Sequence, residues 1–188
     1  MRFVIGVSGA SGSVYGIRLL EVLAERPDIE THLVITSTAR RVIAQETDRT
    51  VKQVESLADR VYDPDDLAAP VASGSFPVDG MVIAPCSVKM LSAVANSYAA
   101  DLVSRAADVM LKEGRPLVLV VRETPLHLGH LRLMARAAEI GALIFPPVPA
   151  FYGRPETVAD IVDGTVGRIL ARLGVENTLY SMWAGGDE

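Results

Sequence analysis

Short apolar runs alternate along the chain with longer segments in which apolar residues recur every three to four positions. The short runs have the length and the β-branched content of buried strands. They lie near residues 2–8, 31–36, 80–85, 116–121 and 142–146. The longer segments have the period of amphipathic helices. They lie near residues 12–25, 38–47, 87–95, 99–113, 127–140 and 155–173.

This alternation predicts an α/β fold, a doubly wound parallel sheet covered by helices on both faces. We expect a single-domain three-layer sandwich of the Rossmann-like or flavodoxin-like type. Residues 1–174 are expected to form the domain and residues 175–188 a C-terminal tail. The segment 60–79 is the longest irregular segment of the sequence, and loops of that length are usually functional or mobile.

Glycines and prolines predict where several elements begin and end. Gly114, Gly141 and Gly174 stand just past three predicted helices, where a glycine with positive φ commonly ends a helix. Pro116 and Pro155 mark the starts of the elements that follow them.

Composition narrows the class of protein. The 188 residues are 49% hydrophobic and 22% charged, which suits one domain with an ample core. A net charge of -5 leaves no basic stripe, so we expect no nucleic-acid partner. The apolar runs are too short to cross a bilayer and no signal peptide is recognised, so we expect no membrane association. Cys86 is the single cysteine, which excludes an intrachain disulfide and favours the reducing cytoplasm.

A glycine- and serine-rich turn follows the first predicted strand, over residues 6–16, and leads into a helix. Unpaired backbone N–H groups and the helix dipole make such a turn suited to phosphate. The segment lacks the Gly-Lys-Ser/Thr ending of a P-loop, and its glycines do not spell G-x-G-x-x-G. A mononucleotide such as FMN is therefore favoured over ATP or NAD. The alternative is a tight turn whose glycines serve packing alone.

Polar side chains follow every predicted strand at its carboxyl end, the edge at which open α/β sheets bind ligands. They lie within residues 9–11, 36–38, 85–89, 122–125 and 146–152. Each serine or threonine in these segments is as readily explained as a helix N-cap. Their coincidence at several strands favours a ligand site.

Two other groups of residues suggest chemistry that we do not predict. His127 and His130 stand three residues apart, a spacing that metals use, but no third ligand is evident, so we expect no metal. Cys86 lies in an apolar run, which is typical of a small buried residue, and we assign it no nucleophilic role.

Several blocks, nearly full length and in order, resemble the UbiX-type flavin prenyltransferases. The blocks are Gly9-Ala10-Ser11-Gly12, Glu46-Thr47-Asp48, Ala72-Ser73-Gly74-Ser75, Pro85-Cys86-Ser87, Arg105-Ala106-Ala107-Asp108, Arg122-Glu123-Thr124-Pro125 and Pro149-Ala150-Phe151-Tyr152. The segment 126–131 is most similar to the ubiquinone-pathway branch of that family. The resemblance implies an FMN-binding domain over residues 1–174. It also implies a metal-independent transferase that moves a dimethylallyl group from dimethylallyl phosphate to N5 and C6 of reduced FMN. The product, prenylated FMN, serves a UbiD-type decarboxylase.

The resemblance also implies residue roles, carried over position by position. The FMN contacts are Gly9, Ala10, Ser11, Thr36, Ser87, Val88, Lys89, Met90 and Arg122. The dimethylallyl phosphate contacts are Tyr152, Arg168, Lys112, Arg122 and Glu123, and the catalytic set is Glu46, Lys112, Glu123, Tyr152 and Arg168. Trp183 stands where the family often has an aromatic residue that covers the active site. Residues alone leave other interpretations open: Lys112 as a helix-dipole partner, Glu46 as a solvated helix residue and Tyr152 as a packing residue.

The resemblance implies a homododecamer in which the loop 72–75 and Arg122 complete a neighbour's pocket. One departure from some relatives is the aliphatic segment 67–70, where they carry an aromatic residue that would face the prenyl group. Two alternative functions remain open. One is an FMN-dependent decarboxylase of the cysteine-decarboxylase type, whose relatives use a histidine in the region where this chain has Glu46. The other is a non-catalytic FMN carrier.

Overall fold

The computed structural model describes residues 1–183 and 185. Within them the chain forms six strands and seven α-helices. The strands are β1 (Arg2–Val7), β2 (Glu30–Ile35), β3 (Arg60–Tyr62), β4 (Gly80–Cys86), β5 (Leu117–Val121) and β6 (Leu143–Ile144). The helices are α1 (Ser13–Ala24), α2 (Ser37–Glu46), α3 (Val51–Glu55), α4 (Val88–Ala95), α5 (Leu102–Lys112), α6 (Leu128–Glu139) and α7 (Val158–Arg172). Two short 3₁₀ turns span Pro70–Ala72 and Phe151–Gly153.

All described strand pairs are parallel, and the sheet order is β3-β2-β1-β4-β5-β6. This is the strand order of the Rossmann-type fold, with the direction of winding reversing between β1 and β4. The predicted doubly wound sheet is therefore confirmed. The reversal leaves a crevice at the carboxyl ends of β1 and β4, which is where a ligand site is expected.

Each face of the sheet packs against its own helices. Helices α1, α2 and α7 cover one face and bury β-strand residues such as Phe3, Ile5 and Leu33. Helices α4, α5 and α6 cover the other face and bury residues such as Met81, Ile83 and Leu119. Because neighbouring positions of a strand point to opposite faces, these strands must be apolar on both sides. This explains the continuous apolar runs in the sequence.

The helix ends confirm the glycine predictions. Gly114, Gly141 and Gly174 have φ values of 65°, 107° and 74°, and each lies two residues after the end of its helix. Gly16 has a different role: a Cβ built on it would lie 2.2 Å from the carbonyl oxygen of Ala84. Helix α1 therefore packs closer to β4 than any larger residue would allow.

The structure contains two elements that the sequence analysis did not assign, and it begins the last helix later than predicted. The segment 60–79 contains β3, a short strand with little apolar patterning that pairs with β2, and a 3₁₀ turn. Helix α3 was not predicted; it begins with a capping box in which Thr50 and Gln53 satisfy each other's backbone N–H groups. Pro155 does not begin the last helix, because Thr157 caps it and α7 starts at Val158.

Candidate functional site

A cavity of about 430 Å³ opens at the carboxyl ends of β1, β2 and β4. Its volume lies in the usual range of small-molecule sites. Of the predicted flavin contacts, the structure places six on its wall: Gly9, Thr36, Ser87, Val88, Lys89 and Met90. Glu123 also lines this cavity. The convergence of polar residues from separate strands, predicted from the sequence, is therefore present in the fold.

The N-terminus of α4 forms one wall of this cavity. Ser87 caps the helix by accepting a hydrogen bond from the backbone N–H of Met90 at 3.2 Å. Lys89 lies in the first turn with an exposed side chain. A helix N-terminus, serine hydroxyl and lysine together suit a phosphate group. The chemistry of this wall fits the phosphate of a mononucleotide.

Ser8 holds that wall in place from the end of β1. Its hydroxyl donates to the carbonyl oxygen of Pro85 at 2.8 Å and accepts from the backbone N–H of Ser87 at 2.8 Å. Its residue surface is 2% exposed, so these bonds replace water entirely. Ser8 therefore ties the first strand to the start of α4.

The sequence predicts that the turn after β1 offers the N-terminus of α1 to a phosphate. In the structure, a carboxylate lies at that position. The carboxylate of Glu46, from the end of α2, accepts the backbone N–H of Gly12 at 2.9 Å and that of Ser13 at 3.4 Å. It also accepts the Ser13 hydroxyl at 3.2 Å. Gly12 has a φ of 98° and supplies no side-chain cap itself. Glu46 thus caps α1 from another helix and competes with any anion for the N–H groups of Gly12 and Ser13.

Hydrogen bonding also fixes the ionisation of Glu46. Partial burial raises the pKa of the carboxyl group, but the Ser11 hydroxyl and the N–H groups of Gly12 and Ser13 outweigh it, so the pKa falls below its ordinary value. Glu46 is therefore an anion near neutral pH, facing Ser11 at the rim of the site.

Arg122 and Glu123 follow β5 at the same edge of the sheet. The Arg122 backbone N–H donates to the carbonyl oxygen of Cys86, and a Cβ built on Gly12 would lie 3.9 Å from Arg122 Cγ. Tyr15 packs beside Gly12, where burial raises the pKa of its phenol and the charge of Arg122 partly opposes that rise. Arg122 therefore lies over the turn that Glu46 caps.

Tyr152 and Arg168 share a second cavity, of about 260 Å³. Tyr152 belongs to the 3₁₀ turn after β6, and Arg168 projects from α7. The ring of Trp183 meets that of Tyr152 edge to face at 5.8 Å between centroids. The Arg168 guanidinium lies 5.9 Å from the centroid of the Phe145 ring. The cavity is therefore lined by one cation, Arg168, and by the rings of Tyr152 and Tyr180, while Trp183 and Phe145 lie beside it.

Lys112 lies at the amino ends of the strands, whereas Tyr152, Arg122 and Glu123 follow the carboxyl ends. It ends α5, forms an ion pair with Glu113 and lies beside Gly74, which precedes β4. Arg115 reinforces this corner by donating to the carbonyl oxygen of Gly74 at 2.8 Å. Within one chain, the five residues predicted to contact dimethylallyl phosphate therefore occupy three separate places.

The remaining candidates show no catalytic arrangement. Cys86 is buried, and burial raises the pKa of its thiol above its ordinary value. His127 caps α6, because its Nδ1 accepts the Gly129 N–H at 3.0 Å. The centroids of the His127 and His130 rings are 3.6 Å apart. Among the described residues, no three His, Cys, Asp or Glu side chains are grouped to hold a metal ion. The described helices include none that is long and apolar enough to span a bilayer.

Sequence reasoning missed several residues around the first cavity. Its lining includes Asp65, Asp101 and Ser104. Asp65 lies in the irregular segment 60–79, and Asp101 and Ser104 lie at the start of α5. Pro64 brings that segment to the site, since its carbonyl oxygen accepts the Leu102 N–H at 2.7 Å. The Asp101-to-Ser104 capping box was the one local signal available in the sequence.

Comparisons with known proteins agree with the geometry. A family model described as Flavoprotein matches residues 1–170. The chain is 55% identical over 186 residues to the flavin prenyltransferase UbiX of Escherichia coli K12, covering 98% of each. Its structure is similar to that of AnUbiX in complex with FMN and dimethylallyl pyrophosphate, with a TM-score of 0.96, 47% identity, and coverage of 99% of this chain and 98% of that one.

A second solved structure is a dodecameric FMN-dependent UbiX-like decarboxylase from Escherichia coli O157:H7. It matches with a TM-score of 0.96 and 46% identity, covering 98% of this chain and 100% of that one. Sequence and structure thus agree with the resemblance noted in the motifs, over essentially the whole chain. The chain belongs to the UbiX family of flavin prenyltransferases.

Proposed function

We propose that this protein transfers a dimethylallyl group from dimethylallyl phosphate to reduced FMN, making prenylated FMN. The observation that carries the proposal is the polar cavity at the switch point of the sheet, walled by the N-terminus of α4 and Lys89. Membership of the UbiX family supports the same reaction. We further propose that the protein acts in the cytoplasm and that a UbiD-type decarboxylase receives the product.

The first cavity is the proposed FMN site. Lys89, the Ser87 hydroxyl and the open end of α4 would hold the phosphate. Gly9 permits close packing of the turn, because a Cβ there would lie 2.4 Å from Thr38 Cγ2. Ala10, Ser11 and Arg122 are then placed to meet the ring system at the rim. Reduced FMN would supply N5 and C6 as nucleophiles: N5 would bond to C1 of the dimethylallyl group as the allylic C–O bond breaks and phosphate leaves, and C6 would then bond to C3. Of the two hydrogens that N5 and C6 lose, one would go as a proton to C2 of the former double bond and the other would leave with phosphate.

The second cavity is the proposed site of the prenyl donor. Arg168 would offset the negative charge that develops on the departing phosphate, and the Tyr152 phenol would donate a hydrogen bond to it. The rings of Tyr152 and Trp183 would face the positive charge that develops on the allylic carbons. Glu46 is held as an anion at the rim of the flavin cavity, where it would accept and return protons through Ser11.

The separation of Lys112 from the other predicted donors supports a site shared between copies of the chain. We propose a homododecamer in which Lys112, the loop 72–75 and Arg122 complete pockets of neighbouring subunits. Exposed apolar side chains on α6, including Leu128 at 60% and Leu131 at 49%, provide surface for such contacts.

An L131D variant is expected to dissociate and to bind FMN weakly. Full FMN affinity in dissociated subunits would contradict the shared site.

The two alternatives make different demands on the structure. A cysteine decarboxylase would need its histidine at the flavin, whereas none of the residues lining the described FMN cavity is a histidine. A non-catalytic carrier would need the flavin cavity alone, and substitution of Arg168 would leave its function intact. The prenyltransferase accounts for both cavities.

The deciding experiment is anaerobic incubation of the purified protein with reduced FMN and dimethylallyl phosphate, followed by mass spectrometry of the released flavin. A gain equal to one five-carbon prenyl unit is expected. R168A is expected to bind FMN normally but to need far more donor for the same rate. Unchanged FMN, with binding confirmed and the pyrophosphate also tested, would favour a decarboxylase or a carrier.

A further inference from the structure

We infer that Gly167 and Asn177 form a seat that positions the C-terminal segment, residues 175–183, as a wall of the prenyl-donor cavity. Neither residue lines that cavity, so both would act as positioning residues rather than as donor contacts. The inference rests on the proposed placement of the prenyl donor beside Tyr152 and Arg168.

The first observation is the fit of the segment against α7 at Gly167. A Cβ built on this buried glycine would lie 2.7 Å from Asn177 Oδ1, 2.8 Å from Tyr180 Cδ1 and 2.9 Å from Leu179 Cβ. These distances are shorter than any Cβ contact allows, so no larger residue fits while the segment is in place. A glycine inside a helix carries a stability cost relative to alanine. At Gly167 the close approach of the segment explains that cost.

The second observation is the hydrogen bonding of Asn177. Its side-chain amide donates to the carbonyl oxygen of Gly167 at 3.0 Å and to that of Val175 at 3.2 Å. Its side-chain oxygen accepts the backbone N–H of Leu179 at 3.2 Å. All three bonds are partly buried. Asn177 therefore fixes the turn of the segment and joins it to α7 directly before Arg168.

The third observation is where the seated segment leads. Residues 178–181 line the cavity that contains Tyr152 and Arg168. Two residues later, Trp183 meets Tyr152 edge to face. Val175, which is 3% exposed, anchors the beginning of the segment in the core. The seat thus sets the distance between the segment and the donor site, and its loss would widen the cavity without touching the flavin site.

The test compares G167A and N177A with G164A. Gly164 lies in the same helix and itself lines the donor cavity, but a Cβ there meets no atom within 4 Å, so G164A controls for helix propensity in the fluorescence measurement and not in the kinetics. Trp183 is the single tryptophan and reports the position of the segment by its fluorescence. Trp183 is 66% exposed and its ring contacts that of Tyr152, so G167A and N177A are expected to increase acrylamide quenching of Trp183 by loss of that contact, whereas G164A is expected to leave it unchanged.

Steady-state kinetics separate positioning from folding. Both seat variants are expected to raise KM for dimethylallyl phosphate about five-fold or more, with kcat and the Kd for FMN within about two-fold of the unmodified protein. If G167A fails to fold, N177A alone tests the inference, because it introduces no steric clash. The inference is wrong if a variant shows increased quenching of Trp183 but an unchanged KM for dimethylallyl phosphate. It is also wrong if quenching of Trp183 is unchanged in both variants.

R168A distinguishes failure of this inference from failure of the donor site. If R168A raises KM for dimethylallyl phosphate and the seat variants do not, the seat is wrong and the donor site stands. If R168A leaves KM unchanged, the placement of the donor is wrong and the inference falls with it.

Discussion

Glu46 accepts the backbone N–H of Gly12 at 2.9 Å, so a carboxylate from the end of α2 occupies the N-terminus of α1. The turn after β1 has the composition of a phosphate-binding loop, yet Glu46 already takes the N–H groups of Gly12 and Ser13, and the Ser8 carbonyl oxygen takes that of Ala10. An anion held in the same place would be repelled by the carboxylate and would find few free donors. The start of α4, with Lys89 beside it, is therefore the better phosphate site.

Replacing Glu46 by glutamine should weaken α1 at its N-terminus. The amide keeps the shape of the side chain but loses the charge that favours the helix dipole, so E46Q is expected to lower the free energy of unfolding by about 0.5–1 kcal/mol at neutral pH. The folded-state pKa of Glu46 is lowered, so its stabilisation is present above the ordinary pKa of 4.5 and is lost as pH falls through the folded value. Urea titrations of both proteins at several pH values check this. A constant difference down to low pH would contradict it.

Lys89 should contribute to FMN affinity through its charge. A charge-assisted hydrogen bond to phosphate is worth about 1.5–3 kcal/mol, so K89A is expected to weaken FMN binding about ten-fold or more. The loss should shrink as salt increases, because ions screen an exposed charge. Titration of FMN fluorescence at two salt concentrations measures both effects. Lys52, on the exposed side of α3, provides the matched control, and equal losses in K52A and K89A would exclude a local role.

The Ser8 hydroxyl should be important for stability as well as for the flavin site. In S8A the Ser87 N–H loses its partner, while the Pro85 carbonyl oxygen keeps the backbone N–H of residue 8 at 3.2 Å. An unsatisfied buried group costs about 1–3 kcal/mol, so S8A is expected to lower the free energy of unfolding by that amount and also to weaken FMN binding. Chemical denaturation with and without FMN measures the two effects. S56A removes an exposed hydroxyl and should change neither.

His32 should make stability fall in mildly acidic solution. Burial lowers the pKa of its ring, with Arg2 and Arg60 acting in the same direction and Glu30 opposing them. The unfolded chain then takes up a proton near the ordinary pKa of 6.5 while the folded protein does not, so the stability present at higher pH declines as pH falls below that value. The ring is stacked on Tyr62 with Nδ1 2.8 Å from its hydroxyl.

An H32F variant tests this, because phenylalanine keeps the stacking and cannot titrate. Urea midpoints between about pH 7.5 and about pH 5.5 are expected to fall for the unmodified protein and to stay nearly level for H32F. The carboxylates with lowered pKa values, such as Glu46, titrate below this range. Parallel slopes in the two proteins would show that another group is responsible.

Elements with local sequence signals were predictable without the structure. Apolar runs such as 116–121 predicted strands because a strand buried on both faces must be apolar throughout. Gly114 and Gly141 predicted helix ends because positive φ is unfavourable for other residues. The motifs also predicted the family, and the polar segments after the strands predicted the edge of the sheet where the site lies.

Tertiary structure decided what depends on residues distant in sequence. Strand β3 exists because the edge of β2 offers unpaired backbone groups, and its own residues 60–62 carry no strand pattern. Glu46 and Gly12 are 34 residues apart, so no local pattern shows that one caps the other. Lys112 and Arg122 are close in sequence but lie at opposite ends of the strands, because β5 runs between them from one end of the sheet to the other.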